Sequence, residues 1–343
     1  MKKSTLAAIT ATLSLSISAT GAAIAGHDHH SGHVHEDLAP IGVMGAHTHE
    51  SGDWMFSYRY MHMDMQGNRE GTSGISDSDV LKKYAVTPTD MSMDMHMFGV
   101  MYAPTDQLTL MAMLPYLDKS MDHRTRMGVK FNTGSNGIGD LKLSGIYNAK
   151  RWGRNELLLN LGISLPTGST DEEDSTPIGK VRLPYPMQLG SGTYDLMPGV
   201  TYNGQNDVYS WGGQTTATLR MNRNNGYRHG HRIEATGWGT KKLSDWWSIS
   251  ARVKGSAWGD IHGTDSRIAQ TSPMGVPLVP TADPDTRGGK SIDGLLGVNF
   301  YARSGMFKGH RLAVELSKPV YQDLDGPALE TNWAIIAGWQ LVI

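Results

Sequence analysis

From Trp54 to the C-terminus, apolar and polar positions alternate with a period of two in one segment after another. Leu157, Leu159, Leu161, Ile163 and Leu165 share one side of such a segment, while Asn160, Gly162 and Ser164 share the other. Trp247, Ile249, Ala251 and Val253 oppose Ser248, Ser250, Arg252 and Lys254 in the same way. At the end of the chain, Trp333, Ile335, Ala337, Trp339, Leu341 and Ile343 form one apolar face. This period belongs to β-strands with a single apolar face. It predicts twelve of them, at 54–63, 93–103, 107–120, 138–149, 155–165, 192–203, 208–221, 230–242, 245–258, 291–303, 308–318 and 331–343. Most approach the ~9–11 residues that a tilted strand needs to cross a bilayer.

The links between these strands alternate in length. Those at 103–106, 150–154, 203–207, 243–245 and 304–308 are tight turns, and those at 64–92, 121–137, 166–191, 222–229, 259–290 and 319–330 are mostly long and polar. Outer-membrane barrels sort their connections in this way, with short periplasmic turns on one rim and long extracellular loops on the other. A β-sandwich has no reason to do so. The expected fold is therefore all-β, a transmembrane antiparallel β-barrel of about twelve strands over residues 53–343. An even strand count puts both termini in the periplasm. Arg59, Lys142, Arg220, Glu234, Arg252, Lys254, Asp293 and Arg303 fall mostly on polar faces and are expected to line the lumen. Facing lipid near the midplane, each would cost a few kcal/mol.

The N-terminus agrees with that location. Lys2 and Lys3 precede an apolar stretch from Leu6 to Ile17, and Ala23-Ile24-Ala25 supplies a small-residue cleavage site. Residues 1–25 read as a secretory signal peptide, so the expected location is the outer membrane of a Gram-negative bacterium. Expected partners are outer-membrane lipid and lipopolysaccharide, the outer-membrane assembly machinery, and a small-molecule or ion cargo.

Composition then narrows the function classes. The absence of cysteine excludes a disulfide framework, a zinc ribbon and thiolate catalysis. A net charge of −2 offers no basic surface to a nucleic acid. No GxxxxGK[ST] loop occurs, so any movement of cargo is expected to be passive. His229 and His231 stand near a strand start without a G-x-S-x-G elbow, and the chain is not expected to be an enzyme. The run Asp171-Glu-Glu-Asp174 reads as a solvated acidic loop.

Three glycine-rich blocks carry a resemblance. Gly137-Ile-Gly-Asp-Leu-Lys-Leu143, Ile163-Ser-Leu-Pro-Thr-Gly-Ser169 and Gln188-Leu-Gly-Ser-Gly-Thr-Tyr-Asp195 resemble, in that order, the outer-membrane proteins grouped with the meta-pathway phenol-degradation transporters. The likeness spans about residues 98–240. It implies a barrel that passes small, often hydrophobic molecules, and it supplies no catalytic motif. The chain departs from the pattern in ending on Ile343, where an outer-membrane assembly signal commonly ends on an aromatic residue. It also adds His-rich and Met-rich segments near its N-terminus.

Those additions are the candidate chemistry. His27, His29, His30, His33, His35, His47 and His49 lie in a segment, 26–52, expected to be a periplasmic tail. Imidazoles beside carboxylates suit Zn(II) or Cu(II). Fourteen of the 20 methionines fall between Met44 and Met127. The strand phase turns Met61, Met63, Met65, Met91, Met93, Met95, Met97, Met101, Met111 and Met113 toward the lumen, with His62 and His96 interleaved. Thioethers are soft ligands for Cu(I) or Ag(I), and they are also adaptable packing. A phase shift of one residue would send them to the lipid instead. No resident cofactor is implied. Three readings remain: a passive small-molecule channel with a role in copper or silver handling, a metal-binding protein whose barrel is only an anchor, and a route for hydrophobic aromatic compounds.

Overall fold

The computed structural model describes residues 39–273 and 275–343. The expected signal peptide and His27, His29, His30, His33 and His35 lie outside the described residues.

The elements, in chain order, are strands β1 (Trp54–Gly71) and β2 (Ser73–Ile75), helix α1 (Asp77–Lys83), and strands β3 (Val86–Thr105), β4 (Leu108–Thr125) and β5 (Lys130–Ile138). Then come β6 (Leu141–Trp152), β7 (Asn155–Leu165), β8 (Glu173–Thr176), β9 (Gly179–Arg182), β10 (Asp195–Gln205) and β11 (Tyr209–Arg220). The last are β12 (Tyr227–Arg228), β13 (Arg232–Lys242), β14 (Trp247–Trp258), β15 (His262–Gly263), β16 (Gly289–Tyr301) and β17 (His310–Val342). Eleven of these close a ring in the order β1-β3-β4-β6-β7-β10-β11-β13-β14-β16-β17, and β17 returns to β1. Every pairing in the ring is antiparallel. The fold is the expected antiparallel barrel.

The last two predicted strands form one element of 33 residues. Its first part pairs with β16, from Arg311 opposite Tyr301 to Leu324 opposite Gly289, and its second part pairs with β1 as far as Val342 opposite Met55. The side chain of Gln322 exchanges hydrogen bonds of 3.0 and 2.9 Å with the backbone of Thr331. Nine residues of straight strand would hold those groups ~30 Å apart. The chain therefore doubles back, and the wall is crossed twelve times.

The links at 64–92 and 121–137 are not loops for most of their length. β1 continues to Gly71, β3 begins at Val86, β4 runs to Thr125, and β5 returns along it from Lys130. At 18 and 20 residues, β1 and β3 far exceed one bilayer crossing, so this part of the wall projects beyond the membrane. Between β2 and β3 sits α1, begun by Ser76, whose hydroxyl accepts from the Asp79 amide, with acidic residues in the first turn and lysines in the last.

Trp54, Phe56, Phe98, Leu110, Leu161 and Leu296 are exposed on the outer surface, as a lipid-facing band requires. Their strand neighbours Met55, Ser57, Met97, Thr109 and Leu295 are buried inside.

Candidate functional site

The methionines form rows across three adjacent strands. Met61 stands directly opposite Met95, Met63 opposite Met93, and Met65 opposite Met91, while Met91 stands opposite Met121 on β4. Lower on the wall, Met55 faces Met101, and Met101 faces Met111. Directly paired residues share a face with Cβ atoms about 4.5–5.5 Å apart, so each row can bring its thioethers together. Met55, Met91, Met97, Met101, Met113 and Met121 are buried, which places the rows inside the ring. Met91 and Met121 pack with Met187, Leu183 and Met65 near the loop rim.

His62 and His96 are not part of these rows. The same period of two sends them outward with Asp94, Tyr58 and Tyr60. Asp94 accepts from Tyr60 (2.5 Å) and pairs with the His62 ring (2.9 Å), while Tyr58 bonds His96 (2.7 Å). His62 also lies against Trp333, with ring centroids 5.1 Å apart. The structure thus separates the thioethers from the imidazoles expected beside them. Among the described residues, no cluster of three or more His, Asp or Glu side chains is arranged to hold a metal.

The rest of the ring carries the charges. Arg220 pairs with Asp195, Lys254 with Asp293 (3.0 Å), and Arg232 with Glu234 (3.0 Å). Lys142 stands opposite Ser164, which stands opposite Asp195, so it shares their inner face. These residues come from β6, β10, β11, β13, β14 and β16, and most of that arc faces the methionine strands across the lumen. Arg59 and Lys119, opposite Met97 and Met93, also set two buried charges on the methionine strands, so the interior has a methionine-rich wall facing a more ionic one. Arg303 is the exception. It lies past the end of β16 and donates to the Asp245 carbonyl in the neighbouring turn, because the strand stops at Tyr301.

On the turn side, residues 39–49 run through the lumen and are bonded all round. The carbonyl of Ala39 accepts from Arg311 (2.5 Å), that of Ile41 from Arg59 (3.1 Å), that of Met44 from Gln214 (2.8 Å), that of Gly45 from Asn160 (3.0 Å) and that of Ala46 from Asn203 (2.5 Å). The amides of Gly42 and His49 donate to Glu315 (3.2 Å) and Thr109 (3.0 Å). Ala39, Val43 and Ala46 pack on Trp238, and Ile41 packs on Ala313 and Ile336. Glu315 also takes two bonds from Arg252, at 2.8 and 2.6 Å, the strong bidentate form of an ion pair. Buried backbone must find partners, and here seven wall side chains provide them. His47 and His49 ride on this segment with their rings in edge contact, 4.7 Å apart.

Residues 39–49, expected in a periplasmic tail, lie between the walls instead. Their signal was a set of amide side chains, Asn160, Asn203 and Gln214, on the inner faces of strands, each holding a carbonyl that does not belong to the sheet.

On the loop side, the 259–288 connection folds over β12 and the turn at Tyr185–Met187. Tyr185, Tyr227, Ile261, Ile268, Val279 and Ala282 form its core. Arg182 donates to Asp171 (2.6 Å) and pairs with Asp265 (3.0 Å), and Arg267 bonds both carboxylates as well. Asp171 stays exposed, as its acidic run suggests, and is bonded by two arginines as well. The hydrogen bond from Arg182 draws its carboxyl below the usual range. Burial pushes the Asp265 carboxyl up, but the bonds from Arg267 and the charge of Arg182 outweigh it and leave the group lowered. Tyr227 is pushed up to about 12 by burial.

Against known proteins, the family model described as "Putative MetA-pathway of phenol degradation" matches residues 76–275, more than half of the chain. An outer membrane channel from Pseudomonas putida F1 superposes with a TM-score of 0.61 at 13% identity, over 88% of this chain and 100% of the other. A Pseudomonas aeruginosa FadL homologue gives 0.39 at 10% identity, over 84% of this chain and 89% of the other. The transport unit of the autotransporter AIDA-I from Escherichia coli gives 0.47 at 9%, over 88% and 93%. No curated protein matches the sequence.

Proposed function

We propose, from the premise that this chain belongs to the family described as "Putative MetA-pathway of phenol degradation", that it is an outer-membrane conduit for small, largely apolar molecules, closed at rest by its own N-terminal segment. The observation that carries this reading is the divided lumen. A methionine wall gives an apolar body a deformable surface with weak, shifting contacts, and the ionic wall opposite receives a polar end group. The sequence has no GxxxxGK[ST] nucleotide-binding loop, and movement down the gradient is the simplest reading. Residues 39–49 are the moving part. They touch the wall through seven hydrogen bonds and a few aliphatic side chains, the four neutral bonds worth about 1 kcal/mol each and the three to Arg59, Arg311 and Glu315 about 1.5–3 kcal/mol each.

The test is conductance and cyclohexanol flux in lipid vesicles, comparing the mature protein with a variant lacking residues 26–49. The variant is expected to raise both at least several-fold. Baseline values for both proteins would remove the conduit reading.

The methionine rows favour a second reading, in which the cargo is a soft cation. Three successive cross-strand pairs, 61/95, 63/93 and 65/91, repeat along the wall at two-residue steps of about 6.6–6.8 Å. Such spacing lets Cu(I) or Ag(I) pass from one thioether pair to the next. Competition for Cu(I) against a chelator probe tests it. The Met63→Leu, Met93→Leu double variant loses affinity if the rows bind metal. Unchanged affinity would leave them as packing.

A further inference from the structure

A second chamber lies at the loop-side rim under the cover, on the face of β4 and β5 that also carries Met121. It is a cavity of about 100 Å³ between the outer ends of β3, β4 and β5, the β8–β9 hairpin and the 259–288 connection. Val86, Phe131, Ile178, Val181, Ile268 and Leu278 make its walls apolar. The cover is fixed there by backbone, since the amides of Ala85 and Val86 each donate 2.9 Å bonds to Pro277 and Leu278.

Five polar residues are among those lining this mostly apolar space, and three of them have a buried atom without a partner. They are Nδ1 of His123, Oγ1 of Thr133 and Nε of Arg182. His123 is 5% exposed and Thr133 is 2% exposed. Buried polar groups are normally satisfied, and leaving one unmade costs about 1–3 kcal/mol. Three around one small cavity mark a place where something else supplies the bonds.

The donor set defines that ligand. Arg182 Nε–H can only donate, so the ligand must present an oxygen acceptor. The guanidinium is already neutralised by Asp171 and Asp265, so a carboxylate would bring an unbalanced charge. A neutral oxygen fits. A hydroxyl oxygen can also accept from the Thr133 hydroxyl, and its single proton can be donated to Nδ1 of a neutral His123. Phe131 stacks on the His123 ring, with centroids 4.8 Å apart and planes at 9°, and fixes the imidazole at the cavity wall.

We infer that this cavity binds a compact apolar molecule carrying a single hydroxyl group, held by Arg182, Thr133 and His123. The inference stands apart from conduction, because binding here needs no passage through the lumen.

The experiment is saturation-transfer NMR titration of the mature protein in lipid nanodiscs, using the five-heavy-atom pair cyclobutanol against cyclopentane, which suits a cavity smaller than the ~150 Å³ that holds benzene. Ala269→Trp at the rim, which blocks the cavity, controls for partition into lipid. Saturable binding of the alcohol alone is expected, lost in Ala269→Trp, weakened about tenfold in Thr133→Val and regained in Thr133→Ser. Deletion of residues 26–49 is expected to leave it unchanged. Equal signals from both probes, or from the blocked variant, would show partition and overturn the inference. So would the absence of saturation, which would assign the three polar atoms to water.

Discussion

At the scale of single residues, the contacts between the inner segment and the wall are specific enough to be broken one at a time. A Cβ placed at Gly338 would lie 2.5 Å from Cγ1 of Ile41 and 2.8 Å from its Cδ1. Ile41 is 2% exposed and packed against Ala313 and Ile336, so it has little room to yield. Gly338→Leu should therefore push residues 39–49 off the wall while leaving the strand pairing intact. Faster protease cleavage between residues 39 and 49 is the expected result, and protection equal to the parent protein would count against the segment being held at that point. The Arg252–Glu315 pair behaves differently. Glu315 is 1% exposed, and Arg252→Met leaves it as an uncompensated buried carboxylate. Breaking such a pair costs about 3–5 kcal/mol, and much of that should return when Glu315→Leu is added. The urea unfolding midpoints of the single and double variants measure both effects. The sequence made Arg252 legible as an inward charge through its place opposite Ile249, Ala251 and Val253. It did not reveal Glu315, because the partner stands on another strand, and pairing in space leaves no local trace.

At the scale of elements, alternation worked where one face was apolar and failed where neither was. Strand β7 was read to the residue, since its leucines alternate with Asn160, Gly162 and Ser164. The sequence reads 64–71 of β1 and 86–92 of β3 as loop, because the outward positions there include Asp64, Gln66, Asp90 and Ser92, with no apolar stripe to mark a strand. Met55, Met97 and Met101 are buried where Phe56 and Phe98, nearer the turns, mark the opposite face by their exposure. His62 and His96 were grouped with the methionines by proximity in sequence, and the pleat separates them. The cover on the loop side makes a prediction of its own. Both Asp171 and Asp265 have folded-state values below the ordinary carboxylate value of ~3.9. A depressed carboxylate contributes stability above that value and loses it as pH falls through the folded value. The cover should therefore loosen below about pH 4 while the barrel stays closed, since backbone pairing does not titrate. Proteolysis of the 259–288 connection with an acid-active protease follows this, with Asp265→Asn expected to show the loosened pattern already at pH 7. A variant as resistant as the parent protein at both pH values would show that the carboxylates do not hold the cover.

At the scale of the whole molecule, closure and occlusion are separate properties, and they rest on different parts of the chain. The ring is closed by the ladder between β1 and β17, which extends to the terminal residue, where Trp54 and Ile343 exchange backbone bonds of 3.0 and 2.9 Å. Opening the ladder inside a bilayer exposes unpaired amides and carbonyls to lipid, each costing several kcal/mol. Removing residues 339–343 deletes the pairs of Trp339 with Tyr58, Gln340 with Ser57, Leu341 with Phe56 and Val342 with Met55. That variant should fail to gain the compact, heat-sensitive electrophoretic mobility of a folded barrel. Removing residues 26–49 touches none of those pairs and should leave the mobility shift intact. If both deletions abolished it, the inner segment would be part of the folding core rather than an occupant of a ring that closes without it.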